Sequence, residues 1–139
     1  MYLLDTNVVS EFRKAKTGKI DKNVEAWANT ISAGMLYLSV ITVLELELGV
    51  LLVERRDASK GGSLRVWLDD HVLPTFSERI LPIDITVARR CAALHVPDRR
   101  SDRDALIAAT ALVHGMTVAT RNVSDFSPTG VKTVNPWIV

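Results

Sequence analysis

Three acidic side chains in this sequence occupy positions where the surrounding pattern predicts core residues. Asp5 ends the apolar run of residues 2–5, YLLD, which is typical of a short buried strand. Glu45 lies in a helical row of apolar residues, and Asp104 stands at the head of another such row. An unpaired carboxylate on a buried face costs several kcal/mol. Each of these three acids therefore needs a partner.

Each of these acids also has a purely structural explanation. Asp5 can cap the helix that follows it by accepting hydrogen bonds from backbone N–H groups. Thr42 and Glu45 have the spacing of a capping box. Ser101 and Asp104 have the same spacing, with Asp in place of the usual Glu or Gln. For each acid, a capping role and a role in a functional site both remain open.

A further polar group follows the strand-like segment 116–120. It consists of Thr120, Asn122 and Asp125, and Asp125 is equally well explained as an acid in a surface loop. Ligands of parallel sheets bind beyond the carboxyl ends of the strands, so this group can meet Asp5 there. Converging carboxylates raise each other's pKa and need a cation. Oxygen ligands select Mg²⁺ or Mn²⁺, and such an ion can support hydrolysis of a phosphodiester.

The apolar pattern of the chain predicts strands that alternate with helices. Strands are expected at 2–5, 35–40, 79–84, 116–120 and 131–135. Helices are expected at 7–14, 21–32, 42–56, 64–76, 85–95 and 101–115, with a helix–helix connection at 57–62. Such alternation predicts an α/β fold with a mostly parallel sheet covered on both faces. The helix at 42–56 is apolar nearly all round, which indicates burial on more than one side or contact with a partner.

Length and charge narrow the class of protein. The 139 residues fit one domain, 1–139. A formal net charge of +1 argues against a protein coated by nucleic acid, so an anionic partner must bind a local basic patch. The candidate patches are residues 13–22; Arg55, Arg56, Lys60 and Arg65; and Arg99, Arg100 and Arg103. Each patch is also explained as an ordinary solvated surface.

Cysteine content and apolar runs give further expectations. Cys91 is the single cysteine, so we expect no intramolecular disulfide and no structural zinc site of the usual kind. The start of the chain lacks the pattern of a signal peptide. No window approaches the roughly 18 apolar residues of a membrane span. These features predict a cytoplasmic protein without membrane contact.

Five segments together resemble the PIN-domain toxins of the VapC family, in the FitB-like branch. They are LLDTN (3–7), LSVITVLELELGV (38–50), DALIAATALVHGMTVATRN (104–122), DF (125–126) and NPW (135–137). The resemblance covers nearly the whole chain in matching order and spacing. It implies a three-layer α/β/α fold with a central, mostly parallel sheet. It also implies an endoribonuclease that depends on Mg²⁺ or Mn²⁺ and belongs to a type II toxin–antitoxin system.

The resemblance implies roles for individual residues. Three residues match the family's metal-binding and catalytic acids: Asp5, Glu45 and Asp104. Three residues match its supporting polar groups: Thr6, Asn7 and Thr120. The fourth acidic position of the family falls on Asn122, where this chain departs from the pattern, and Asp125 is the candidate to replace it. We expect Asp5 and Asp104 to be indispensable ligands and Glu45 to bind directly or through water, while the number of ions stays open.

The resemblance also implies partners. Family members form dimers and are silenced by a cognate antitoxin, so we expect a homodimer, a VapB-like antitoxin, an RNA substrate, and DNA contact only through the antitoxin. The apolar helix 42–56 and Trp67 suit a partner surface, although core packing explains them as well.

Other functions remain open at this stage. The change from acid to Asn122 favours a catalytically weak PIN module that acts through its antitoxin–DNA complex. A phosphatase of the haloacid dehalogenase type would need a second Asp where Asp5, Thr6 and Asn7 stand. A receiver domain would need paired acids near the first strand, and this chain does not have them there.

Overall fold

Five parallel strands form the central sheet of the protein. In this computed structural model, which describes residues 1–138, the strands are β1 (Tyr2–Leu4), β2 (Leu36–Ser39), β3 (Ile80–Leu81), β4 (Thr117–Ala119) and β5 (Thr133–Val134). Their order across the sheet is β3-β2-β1-β4-β5, and every pairing is parallel. Chain order therefore runs outward from β1 in both directions. The position beyond the carboxyl end of β1 is a topological switch point, where open α/β sheets bind ligands.

Helices cover both faces of this sheet. They are α1 (Thr6–Phe12), α2 (Lys22–Asn29), α3 (Val40–Arg56), α4 (Ala58–Val66), α5 (Leu73–Thr75), α6 (Ile85–Leu94), α7 (Asp102–His114) and α8 (Val123–Phe126). A π-helical stretch, Trp67–Val72, joins α4 to α5. Short 3₁₀ turns lie at Arg13–Thr17, Ala33–Met35 and Ser127–Thr129. The predicted three-layer α/β/α fold with a parallel sheet is confirmed.

Alternation along β1 divides the core between the two faces. Leu4 packs with residues of α1 and α3, including Val8 and Val50, on one face. Leu3 packs with Ile107 of α7 on the other. Successive side chains of a strand point to opposite faces, so this short central strand anchors both helical layers. Within residues 1–138, no helix combines the length and the apolar character needed to cross a bilayer.

The helix–helix connection predicted at 57–62 is confirmed, but it is shorter than predicted, because residues 58–62 already belong to α4. Asp57 is the single residue between α3 and α4, and its side chain caps α4 by accepting a hydrogen bond from Lys60 N at 3.1 Å. Gly61 lies inside the helix, where an added Cβ would stand 2.5 Å from Glu54 Cα. The glycine therefore serves the close approach of two helices rather than a turn.

An ion-pair network joins α3 to α4 across the same contact. Arg65 Nη1 and Nη2 donate to the two carboxylate oxygens of Glu47 at 2.9 and 2.6 Å. Nη2 also donates to Glu54 Oε1 at 3.0 Å. A two-pronged guanidinium–carboxylate pair fixes geometry as well as charge. Arg65, which belongs to a basic patch of the sequence, is therefore held in ion pairs between α3 and α4.

Candidate active site

Asp5 lies at the switch point and uses each carboxylate oxygen differently. Its side chain is 6% exposed. Oδ1 accepts a hydrogen bond from Thr6 N at 2.8 Å, which caps α1 as the structural explanation predicts. Oδ2 accepts from Thr120 Oγ1 at 2.7 Å and from Asn7 Nδ2 at 3.2 Å. Burial raises the pKa of Asp5, and Glu45 adds to that, although the three hydrogen bonds partly oppose the increase. The acid therefore belongs to both the helix cap and the site.

Thr120 connects Asp5 to the loop that follows β4. Its side chain is fully buried, and its hydroxyl also accepts a hydrogen bond from Asn122 N at 3.0 Å. Asn7 makes a second link, because its Oδ1 accepts from Arg121 N at 3.3 Å. The β4 loop is thus held against Asp5 from two sides.

Glu45 enters the site from the second turn of α3. Ser39 caps this helix by accepting from Ile41 N at 3.0 Å, so α3 begins before Thr42. Thr42 is buried inside the helix and donates to Leu4 O at 3.4 Å. The capping-box explanation for Thr42 and Glu45 is therefore wrong. Glu45 Oε1 instead accepts from Thr6 Oγ1 at 2.7 Å.

Asp104 lies in the first turn of α7, half-buried among other acids. Ser101 occupies the N-cap position but makes no capping hydrogen bond through its side chain, so the second capping box is not formed in the described chain. Burial raises the pKa of Asp104 to about 6, with further contributions from the negative charges of Asp5, Asp125 and Glu45. Asp5 after β1, Glu45 of α3 and Asp125 of α8 are therefore all close enough to repel the charge of Asp104 in α7.

Asn122 and Asp125 both belong to the short helix after β4. Asn122 occupies the N-cap position of α8, and Asp125 lies within the helix. Both residues are exposed. Asp125 acts on the pKa of Asp104. Of this pair, Asp125 is the one that adds negative charge to the cluster.

The donor set of the cluster suits a hard divalent ion. Its donors are carboxylate, hydroxyl and amide oxygens, which Mg²⁺ and Mn²⁺ prefer. Within residues 1–138, no group of three or more His, Cys, Asp or Glu side chains is placed so that it could hold a metal ion by itself. Mg²⁺ usually keeps several waters and takes one or two carboxylates from a protein. A cation would also oppose the burial and the charge repulsion that together raise the pKa of Asp104.

A cleft of about 520 Å³ opens beside the carboxylates. Its lining includes Trp67 and Trp137, and we call it the tryptophan cleft. Asn7 and Glu45 belong to its lining as well as to the acidic cluster. The sequence analysis assigned Arg121 no role, yet it lines this cleft. The position of Arg121 between Thr120 and Asn122 was a signal that it lies near the site.

The cations of the predicted basic patches lie in different environments in the fold. Arg13 and Lys14 line the tryptophan cleft. Arg100 donates to Leu94 O at 2.8 Å and to Pro128 O at 3.3 Å, so it joins the end of α6 to the 3₁₀ turn at Ser127–Thr129. Arg103 Nη1 lies 3.6 Å from Glu45 Oε2. Glu45 therefore has Arg103 beside it and shares the lining of the cleft with other cations.

Comparisons with known proteins identify the family. Residues 2–129 match the family model described as PIN domain. Plasmid stability protein StbB of Pseudomonas syringae pv. tomato is 39% identical, and the match covers 99% of each chain. VapC ribonuclease Y4jK of Sinorhizobium fredii is 39% identical over 99% of this chain and 98% of that protein. Toxin FitB of Neisseria gonorrhoeae is 39% identical over 99% of each.

Solved structures agree with these sequence matches. A chain in the crystal structure of FitAcB from Neisseria gonorrhoeae superposes with a TM-score of 0.89, at 38% identity and with both chains fully covered. A chain of FitAB bound to an IR36 DNA fragment gives the same TM-score and identity, with 97% of that chain covered. The chain described here belongs to the PIN-domain family, in the group that contains the VapC and FitB toxins.

Proposed function

We propose that this protein is the ribonuclease toxin of a toxin–antitoxin pair and cuts RNA with Mg²⁺ or Mn²⁺ bound at its acidic cluster. The observation that carries the proposal is that the negative charges of Asp5, Glu45 and Asp125 all act on the half-buried Asp104, whose pKa burial and these charges raise to about 6. A protein gains nothing in stability from four repelling carboxylates unless a cation joins them. The names of its relatives, VapC ribonuclease and Toxin FitB, support the same activity.

The chain's own residues have separate roles in this proposal. Asp5 and Asp104 are the indispensable ligands, and Glu45 binds directly or through water. Asp125, or Asn122 in the position where the family carries an acid, completes the set. When bound, the ion supplies an activated water and neutralises charge that develops on the phosphate.

Supporting residues orient these carboxylates before any ligand arrives. Thr120 and Asn7 hold Asp5 Oδ2, and the Thr6 hydroxyl holds Glu45 Oε1. Preorganised polar groups avoid the cost of rearrangement during the reaction. A carboxylate oxygen that does not bind the ion can accept the proton that the attacking water loses.

We also propose that a VapB-like antitoxin silences this protein, that the protein forms a homodimer in the cytoplasm, and that it reaches DNA only through the antitoxin. The related FitAB structure contains a DNA fragment. Support within this chain comes from α3, where Leu44, Leu51 and Leu52 are 47%, 51% and 55% exposed. Leucines exposed along one helix indicate a surface that a partner covers.

The test is cleavage of a panel of structured RNAs by the purified, antitoxin-free protein in Mg²⁺, in Mn²⁺ and in EDTA. Asp5→Asn and Asp104→Asn are prepared identically. Glu78→Gln is the matched control, because this exposed acid lies before the amino end of β3, whereas the acidic cluster lies beyond the carboxyl end of β1. We expect cuts that need a divalent ion, persist in the control and disappear in both Asp variants. Equal cutting by every preparation would identify a contaminating nuclease and remove support for the proposal.

A second candidate function is a catalytically weak PIN module that acts through its antitoxin–DNA complex. The presence of Asn122 where the family has an acid favours it. Within residues 1–138, no group of three or more His, Cys, Asp or Glu side chains is placed to hold a metal ion, which agrees with it. Absence of cutting with both ions across the panel would select this second function.

A further inference from the structure

The tryptophan cleft is continuous with the acidic cluster. We propose that it binds one unpaired nucleotide of the RNA strand, next to the phosphate that is cut. This inference rests on the proposed ribonuclease function and specifies its substrate as single-stranded or looped RNA. The cleft volume of about 520 Å³ lies within the range of roughly 300–1,000 Å³ typical of small-ligand sites.

Shared residues join the cleft to the acids. Asn7 donates to Asp5 Oδ2 at 3.2 Å and accepts from Arg121 N at 3.3 Å. Asn7 and Arg121 both line the cleft. A nucleic acid with one phosphate at the carboxylates therefore has its neighbouring nucleotide at the cleft.

Trp137 is a fixed platform in the cleft although it lies near the end of the chain. Its backbone N donates to Asn135 Oδ1 at 3.0 Å, and its carbonyl accepts from Asn23 Nδ2 at 2.8 Å. The Arg121 guanidinium lies 5.1 Å from the centre of its ring. Indole rings and guanidinium planes are the surfaces on which proteins stack unpaired bases. A platform that is already held in place loses little entropy on binding.

Trp67 supplies a second indole to the lining of the cleft. It is the first residue of the π-helical stretch that follows α4. The α3–α4 contact positions this part of the chain, because Arg65 of α4 is bound to Glu47 of α3. The cleft thus has an aromatic surface on two separate parts of the fold.

The charge of the lining suits an anionic phosphate rather than a cationic ligand. Arg13, Lys14 and Arg121 contribute three cations, against the two acids Glu11 and Glu45. Glu11 accepts from Asp21 N at 2.8 Å and pairs with Lys14 at 3.0 Å. Within residues 1–138, Arg13 and Arg121 form no ion pair, so both remain available for phosphates. Aromatic rings together with cations are the usual components of a single-strand binding groove.

The experiment measures tryptophan fluorescence while RNA is added in EDTA, so that no cleavage occurs. The probes are a short single-stranded oligoribonucleotide and the same strand annealed to its complement. We expect the single strand to quench fluorescence and to bind at least five-fold more tightly than the duplex, since a paired base cannot enter the cleft. The chain has three tryptophans. Quenching should persist in Trp27→Phe and decrease in Trp67→Phe and in Trp137→Phe.

Two further variants test affinity. Removal of a stacking ring typically weakens binding of a single strand about five-fold or more, and we expect this for Trp137→Ala. The exposed Arg121→Gln tests the site without risk to the core, and should lower the slope of log affinity against log salt by about 0.7. Lys132→Gln is its control. Lys132 lies before the amino end of β5 and does not line the cleft, so its loss should leave the slope unchanged.

Several results would overturn the inference. They are equal affinity for duplex and single strand, wild-type binding by both Trp137→Ala and Arg121→Gln, or quenching that depends on Trp27 alone. If a purified antitoxin quenches Trp67 and Trp137 and no oligoribonucleotide does, the cleft is a protein-docking site. Binding in EDTA is independent of cleavage. Metal-dependent cutting without stacking would therefore reject this subsite alone, whereas stacking without cutting would reject the ribonuclease alone.

Discussion

A single carboxylate, Asp5, serves both the fold and the chemistry proposed for it. One oxygen caps α1, and the other is held by Thr120 and Asn7. Thr120 is fully buried and uses its hydroxyl as donor to Asp5 and as acceptor from Asn122 N. Because this hydroxyl joins β1 to the loop after β4, its loss should affect stability and site geometry together.

Thr120→Val tests this link. Valine preserves the shape of the side chain but leaves Asp5 Oδ2 and Asn122 N short of a partner. Loss of a buried partner typically costs about 1–3 kcal/mol, so we expect a lower free energy of unfolding in urea and weaker RNA cleavage. Thr120→Ser retains the hydroxyl and should behave much more like the wild type. Equal stability of the Val and Ser variants would contradict the role assigned to the hydroxyl.

The raised pKa of Asp104 predicts that the stability of the metal-free protein depends on pH. Its pKa rises from 3.8 to about 6 on folding. Between these values the folded protein binds more protons than the unfolded chain, so its stability should fall as pH rises and remain lower above pH 6. In EDTA near pH 8, the free energy of unfolding of Asp104→Asn should exceed that of the wild type by about 1–2 kcal/mol. This value allows for the solvent screening of a side chain that is partly exposed.

Thermal unfolding measures this difference. A gain of that size raises the midpoint by a few degrees. The gain should become small near pH 4, where the wild-type carboxyl is mostly protonated in the fold. Glu78→Gln, which lies outside the acidic cluster, should show no comparable gain. A destabilised Asp104→Asn at high pH would show that the carboxylate is not repelled in the folded protein.

Among the structural elements, the pair α3 and α4 depends on one small residue. A Cβ on Gly61 would stand 2.5 Å from Glu54 Cα and 2.7 Å from Glu54 N, both of them backbone atoms that cannot move aside cheaply. Gly62 is the next residue of the same helix and has nothing within 4 Å of its Cβ position. An alanine at Gly61 therefore tests close packing between the helices, whereas an alanine at Gly62 tests helix propensity alone.

Gly61→Ala should destabilise the protein by about 1–3 kcal/mol, as overpacking of a tight contact usually does. Gly62→Ala should instead stabilise it by about 0.5–1 kcal/mol, because alanine is the better helix former. Urea denaturation of the two variants measures both changes. Two variants of equal stability would mean that α4 does not approach α3 as closely as the structure shows.

At the scale of the whole molecule, strand order assembles the site. The acids come from positions 5, 45, 104 and 125 of the sequence, and they meet because β1 lies between β2 and β4. A divalent ion bound there would connect elements from both ends of the chain. Such binding should stabilise the folded protein as a whole.

Added metal should therefore raise the thermal unfolding midpoint even when no RNA is present. A ligand at 100 times its dissociation constant stabilises the folded state by about 2.7 kcal/mol. Mn²⁺ or Mg²⁺ should raise the unfolding midpoint of the wild type by several degrees, and EDTA should reverse the rise. Asp104→Asn should lose most of the shift, whereas Glu78→Gln should keep it. An equal shift in all three proteins would point to nonspecific ion binding.

Local sequence was enough to predict the α/β class, most element positions and the acids at strand ends. Apolar periodicity reports the face that each segment buries. A charge at the end of a buried strand is informative because burial of an unpaired charge is costly. The helix–helix connection was predicted too long, at 57–62 instead of Asp57 alone, and the capping box at Thr42 was wrong, both for a shared reason. Each assignment used local residue preferences, whereas a long-range contact or a competing cap decided the outcome.

The sequence by itself determined the alternating elements, the apolar faces and the identity of the acids, since short-range spacing encodes all three. Tertiary structure alone decided that Gly61 is a packing residue and that Arg65 is engaged by Glu47. It also placed Arg121 over Trp137 beside Asn7, which is 114 positions from Arg121 in the chain. Such contacts depend on strand order and helix packing. Residue spacing carries no direct record of either, because distant segments meet only after the sheet has formed.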